Sequence, residues 1–200
     1  MQEQSVKNIA FFDFDKTITT KDSLFVFVKF AVGKWAFYRG FIARFWILLG
    51  YVVGLYSNAY AKESLMRYFF KGYSTADFAL LCANFQSTLC GITRIQAMEK
   101  IAWHKDRGDV VVVVSATFEE YLRPFCQNMG LECLATKLEV VNGVLSGNLA
   151  TPNCYGKQKA VRIQESYDLS QYAEIYVYGD SKGDYEMLAL ATQRFYRKFY

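Results

Sequence analysis

The sequence is poor in the residues that punctuate and cross-link chains. Among 200 residues there are two prolines, one histidine and five cysteines. With so little proline, and no low-complexity or repeated segment, there is no sign of a linker or a repeat array. The cysteines (Cys82, Cys90, Cys126, Cys133 and Cys154) form no CxxC pair and are odd in number. That argues against a structural zinc site or a disulfide framework and for reduced thiols in a cytosolic compartment. The single histidine, His104, lies in the polar stretch AWHKDRGD and is expected on the surface rather than in a catalytic role. The N-terminal MQEQSVKN is polar and has the form of neither a secretory signal nor a transit peptide. Charged residues are only 21% of the chain against 52% hydrophobic, which excludes disorder and provides for a substantial core. A chain of this length holds one core domain plus a modest insertion.

What is present falls into two patterns. Short, near-continuous apolar runs occur at residues 8–14 (NIAFFDF), 109–114 (DVVVVV) and 174–179 (EIYVYG), with RFYRKF near the C-terminus as a last candidate. Such runs suit buried parallel strands covered by helices on both faces. Helical patterns fall at roughly 92–106, 117–129, 157–166 and 183–191. In LEVVNGVLSG, residues 138–147, Asn142-Gly143 between two β-rich runs predicts a hairpin, because both residues tolerate positive φ. The expected architecture is α/β, a doubly wound parallel sheet with a small hairpin annex.

Residues 24–90 carry no clear strand, and positions 24–56 hold eleven of the thirty-five aromatic residues. From Lys21 to Lys71 eight Lys/Arg face only Asp22 and Glu63, a local charge of +6, while the rest of the chain sums to −2. This reads as a basic, aromatic helical insertion on a mildly acidic body, and it favours an anionic surface or substrate nearby. Lys29, Lys34, Arg39 and Arg44 recur every five residues, so they line no single helical face and read as a solvated surface. Phe45 to Ala61 is free of charge for seventeen residues, the lower edge of a membrane span. A buried cap helix and an interfacial segment with Trp35 and Trp46 at headgroup level are both compatible with it. The long apolar blocks are unlike a polar stacking platform, so nucleic acid is discounted as a partner. No obligate protein partner is indicated.

Chemistry collects at the strand ends, where open α/β sheets bind ligands. The first strand ends in Asp13-Phe-Asp15-Lys-Thr17, the second in Ser115-Ala116-Thr117, the third in Gly179-Asp180-Ser-Lys-Gly-Asp184. Taken singly, each aspartate is an ordinary helix cap or turn former. Together, four carboxylates meeting in one crevice repel unless a cation neutralises them, and oxygen-only ligands favour magnesium.

DFDKT resembles the DxDxT signature of haloacid dehalogenase-like phosphatases, VVVVSAT their second motif and YGDSKGD their acidic fourth motif. Order and spacing match across nearly the whole chain, with the insertion placed as in the phosphoserine phosphatase-like branch (subfamily IB). The resemblance implies a catalytic core of residues 1–22 and 91–200 and a helical cap of 23–90. It implies Asp13 as nucleophile, Asp15 as general acid and base, Thr17 as orienter of Asp15, and Ser115 with Ala116 on the phosphoryl group. It implies a magnesium ion held by Asp13, Asp180, Asp184 and the backbone carbonyl of Asp15. The resemblance also implies a lysine from CYGKQKAVRIQ, Lys157 or Lys159; members of the family often carry a glycine three residues before it, so Gly156 favours Lys159. The branch's glutamate nine residues after the nucleophile is Asp22 here. The hydrophobic, basic cap is similar to that of members resembling phosphatidylglycerophosphate phosphatase, which implies a lipid phosphate monoester at the inner membrane face. The alternatives are a soluble small-metabolite phosphatase of the phosphoserine kind and a phosphotransferase with the same intermediate.

Overall fold

The computed structural model describes residues 7–199; most of the MQEQSVKN stretch lies outside them. Its centre is β1 (Ile9–Phe12), an apolar tetrapeptide buried on both faces. β2 (Val110–Phe118) and β6 (Ile175–Gly179) flank it in parallel, with Ile9 in register with both Val110 and Ile175. β3 (Glu132–Thr136) and β7 (Gln193–Tyr196) complete an all-parallel sheet of order β3-β2-β1-β6-β7. Successive side chains of β1 point to opposite faces. Phe12 therefore joins one core with Phe14, Val113, Phe125 and Tyr178, while Ile9 and Phe11 join another with Val112, Ile163 and Met187. Phe12 stacks on Tyr178 at 4.3 Å and Tyr178 on Phe195 at 4.6 Å, a ladder that locks three neighbouring strands in register.

Helices cover the sheet: α5 (Ile95–Asp106), α6 (Glu119–Asn128) and α7 (Lys157–Ser166), with the four-residue α8 (Tyr185–Leu188) after β6. Between β1 and α5 come α1 (Ser23–Ala43, interrupted at Gly33), α2 (Phe45–Val52), α3 (Asn58–Phe70) and α4 (Thr75–Cys90). Two ribbons of backbone bonds mark where the chain leaves and re-enters the sheet. Ile18 to Thr20 pairs with Ile92 to Arg94 (Thr20 N to Ile92 O, 2.7 Å; Arg94 N to Ile18 O, 2.7 Å), and Ala150 N donates to Lys137 O at 2.9 Å. Between Lys137 and Ala150 lies the hairpin β4 (Leu138–Val141) and β5 (Val144–Leu149), turning through Asn142 at φ 50° and Gly143 at φ 78°. It packs on α3 rather than on the sheet. Gly72 N donates to Leu145 O at 2.8 Å, Leu145 N to Tyr73 O at 2.9 Å and Leu149 N to Glu63 Oε1 at 3.0 Å.

The structure departs from the sequence reading in four places. β3 was not anticipated, because ECLAT mixes polar and apolar residues and carries no buried-strand signature. β2 runs on through Thr117 and Phe118, so the helix expected from 117 begins at Glu119. The expected 183–191 helix shrinks to a 3₁₀ turn at Lys182–Asp184 followed by α8. His104 is not on the surface: it is fully buried, with Nδ1 2.7 Å from Asp109 Oδ2 and Nε2 3.1 Å from the Tyr178 hydroxyl. Both ring nitrogens have polar partners, so the imidazole can be buried without an unpaired group.

Candidate active site

β1 ends with Asp13 N donating to Tyr178 O at 2.9 Å, which aims the Asp13 side chain at the carboxyl edge of the sheet. The chain then folds into a tight turn, with Lys16 in the left-handed region at φ 63°. Thr19 closes it: its hydroxyl accepts from Lys16 N at 3.1 Å and donates to Lys21 O at 2.6 Å, and its own N–H donates to Phe14 O at 3.0 Å. Within this turn Thr17 Oγ1 donates to Asp180 Oδ1 at 3.4 Å, joining the first and third strand ends.

Asp180 follows β6 at Gly179, where a Cβ would lie 2.6 Å from the Cβ of Asp184. Only glycine lets the two chain segments approach this closely. Asp184 Oδ2 accepts from the N–H groups of Asp180 (3.1 Å) and Ser181 (3.0 Å) and from Ser181 Oγ (3.0 Å). Its Oδ1 accepts from Lys159 Nζ at 2.7 Å, and the same ammonium donates to Asp13 Oδ1. Lys159 reaches this place because Gly156 N bonds to Gly183 O at 3.0 Å, pinning the start of α7 beside the 182–184 turn. Lys157, two residues earlier, points to solvent.

The electrostatics are those of excess buried negative charge. Burial pushes the Asp13 carboxyl well above its usual range, against the pull of Lys159. Burial also opposes the charge on Lys159 and on Asp184, but there the ion pairs prevail: the ammonium is held above its ordinary value and the Asp184 carboxyl below. Ligand oxygens of Asp13, Asp180 and Asp184 lie within 4.8 Å of one another. Three buried carboxylates with a single lysine among them, bonded to Asp13 and Asp184, offer oxygen donors alone and fit a hard divalent cation. The Asp15 carboxylate is not part of that cluster; it turns toward the start of α1 to accept from Ser23 N at 2.6 Å. Burial, then repulsion from Asp22, raises its pKa to about 7.

Ser115, where the valine run of β2 stops, is buried and accepts from Thr117 N at 3.0 Å. Ala116 beside it lines the same cavity. This cavity, about 600 Å³, has a polar floor of Asp13, Asp15, Ser115, Lys159 and Asp180. Its roof is apolar: Leu24, Phe25, Phe41, Leu48 and Val52 from α1 and α2. Sequence reasoning missed Lys62, which descends from α3, is only 9% exposed and donates to Ala116 O and to Asn153 Oδ1 (2.9 Å). Nothing in NAYAKESL marks it, because Glu63 follows it directly and its partners are distant in sequence.

Comparison with known proteins agrees with this arrangement. The chain is similar to the protein CicA of Caulobacter vibrioides, 31% identical over 94% of this chain and 85% of that protein. It is 31% identical to a probable phosphatase of Mycobacterium tuberculosis over 91% of this chain and 66% of the relative. A substrate-bound phosphoserine phosphatase structure superposes with a TM-score of 0.68 at 19% identity, covering 95% of this chain and 85% of that one, a likeness of fold. Residues 10–189 match the family described as haloacid dehalogenase-like hydrolase. The strand order, the acidic strand ends and this match lead to one conclusion: the chain belongs to the haloacid dehalogenase-like hydrolases.

Proposed function

We propose that the chain is a magnesium-dependent phosphatase that attacks phosphate monoesters with Asp13, and that its substrate is a lipid phosphate. One observation carries the catalytic half: a buried Asp13–Lys159–Asp184 chain beside Asp180 at the floor of a ligand-sized cavity. In this reading an Asp13 oxygen forms a bond to phosphorus as the bond to the leaving alcohol breaks, giving an aspartyl-phosphate. Asp15 gives its proton to the departing oxygen; a carboxyl with a pKa of about 7 holds that proton near neutrality. Asp15 then takes a proton from the water that displaces phosphate from Asp13. Lys159 and the Ser115 hydroxyl stabilise charge on the phosphoryl oxygens, and Thr17, bonded to Asp180, steadies the loop that carries Asp15. Asp13, Asp180 and Asp184, with the Asp15 carbonyl, would hold magnesium, whose chemistry here is to offset phosphate and carboxylate charge.

The substrate half rests on the roof. Residues 23–90 act as a cap over the core of 1–22 and 91–200. The cap's apolar cavity wall continues outward to Trp46, Val52 and Leu55, which are 77%, 76% and 77% exposed. No carboxylate lies between Asp22 and Glu63, whereas Lys29, Lys34 and Arg39 are exposed. Acyl chains fit such a roof, and an anionic bilayer fits its rim. Among the described residues no helix is long and apolar enough to cross a membrane; the attachment proposed on the basic rim is peripheral, at the inner face of an anionic membrane. Asp22 favours a second reading, a soluble monoester bearing an amine, because it lines the cavity. Transfer of the phosphoryl group to an alcohol instead of water would show as competition by added alcohol during turnover.

The test is magnesium-dependent phosphate release from phosphatidylglycerophosphate in mixed micelles, phosphoserine and an aryl phosphate. Preference for the lipid supports the whole proposal. Preference for phosphoserine selects the second reading, and no release from any of the three defeats the phosphatase reading.

A further inference from the structure

The chemistry above leaves one buried cation of the cavity without a task. Lys62 comes from α3, yet its ammonium donates to the Ala116 carbonyl and to Asn153 Oδ1. Thr136 Oγ1 donates to the same carbonyl at 3.0 Å and lies 3.3 Å from Asn153 Oδ1. Asn153 Nδ2 in turn donates to Asn58 Oδ1 on α3 at 2.8 Å. One peptide oxygen within β2, that of Ala116, is thus held by a donor from the helical insertion and a donor from β3.

A peptide unit is planar and trans, so its C=O and N–H point in opposite directions. Among the described residues no peptide bond is cis. Fixing the Ala116 carbonyl therefore fixes the Thr117 N–H on the same unit, and that N–H donates to Ser115 Oγ at 3.0 Å. A serine hydroxyl has one proton and two lone pairs. With a lone pair taken by Thr117, the proton is the part of Ser115 left for a phosphoryl oxygen.

We infer that Lys62 is a positioning residue for Ser115: by holding the Ala116 carbonyl it sets the Ala116–Thr117 peptide plane, and through that plane the direction of the Ser115 hydroxyl. The inference rests on the phosphatase reading, which gives Ser115 its role. It also gives the insertion a part in the chemistry, since the floor donor is aligned only when α3 is seated.

A double-mutant cycle tests it, with kcat and KM measured on an aryl phosphate. Ser115→Ala should lower kcat about 100-fold, the loss typical of one oxyanion donor. Lys62→Met should lower kcat about tenfold through misalignment, with KM changed less than about threefold. The double variant should fall within about threefold of Ser115→Ala alone, because two residues acting through one bond are not additive. Thr136→Val, which removes the other donor to the carbonyl, should repeat the pattern more weakly and serves if Lys62→Met folds poorly. Multiplied losses in the double variant, or a raised KM with kcat intact, would overturn the inference, the latter by making Lys62 a direct substrate contact. The cycle is repeated on binding of inorganic phosphate by calorimetry. A wild type that hydrolyses no monoester but keeps the coupling defeats the phosphatase reading alone; additive effects in both readouts defeat the inference alone.

Discussion

The floor and the roof of the cavity are built by different rules. On the floor, every acidic side chain follows a strand end and is tied by named bonds: Asp184 by four donors, Asp13 by Lys159, Asp180 by Thr17. The roof places apolar side chains on α1 and α2, the first of them broken at Gly33. The floor's order suits a reaction that requires reacting atoms within a fraction of an ångström. A roof that recognises bulk and hydrophobicity needs only volume and greasiness, and it tolerates wide sequence choice. On the proposed reading the reacting groups lie on the floor and selectivity on the roof, with Lys62 as the link between them, and substitutions should separate accordingly.

The largest effect is expected on the floor. Asp13→Asn should lower turnover of every ester by about four orders of magnitude or more, as removal of a nucleophile does, with the far-ultraviolet circular dichroism unchanged. Substantial activity in a well-folded variant would remove Asp13 from its assigned role. On the roof, Trp46→Ser combined with Val52→Ser should reduce hydrolysis of micellar lipid phosphate about tenfold and leave the aryl phosphate rate within about twofold. Both side chains are exposed, so thermal unfolding should shift by no more than about 0.5 kcal/mol per site. Equal losses on both substrates would break the proposed division.

The smallest effect lies where floor and roof meet. Asp15, with a pKa raised to about 7 by burial and then by Asp22, keeps its proton below that pH and loses it above. The rate for a poor leaving group should therefore fall as pH rises through about 7. Asp22→Asn removes a repulsive charge, which lowers the Asp15 pKa and moves that fall toward acid pH, a change of a few-fold in rate near neutrality. Asparagine caps helices as well as aspartate does, and Asp22 accepts from Leu24 N and Phe25 N, so α1 should persist. A pH profile that moves toward alkali, or not at all, argues against Asp15 as the acid.

Legibility in the sequence follows the same line. β1, β2 and β6 were readable because buried parallel strands are continuous apolar runs, and Asp13, Ser115 and Asp180 were readable because they follow those runs. Asn142-Gly143 announced its turn by the conformations it permits. ECLAT hid β3 because its exposed end carries Glu132 and its buried end a polar residue, Thr136, whose hydroxyl is bonded to the Ala116 carbonyl. His104 was misplaced because its neighbours along the chain are polar while its neighbours in space, Asp109, Tyr178 and Phe12, are remote or unremarkable in sequence. Lys62 was invisible for a related reason: a lysine in a helix looks solvated until its partners, Ala116 and Asn153, are brought to it from more than fifty residues away.

The hairpin's attachment to α3 has a mechanical consequence. Although it follows β3 in the chain, it is fastened to the helices through Gly72, Tyr73 and Glu63, so hairpin and helices form a single solid piece. The backbone of that piece joins the core through two bonded ribbons, one at residues 18–20 with 92–94 and the other at Lys137 with Ala150. Two separate ribbons define a line, as the two leaves of a door hinge do. Tilting about that line spares both ribbons, but it parts the Lys62 ammonium from the Ala116 carbonyl and Gln86 from the Tyr121 carbonyl.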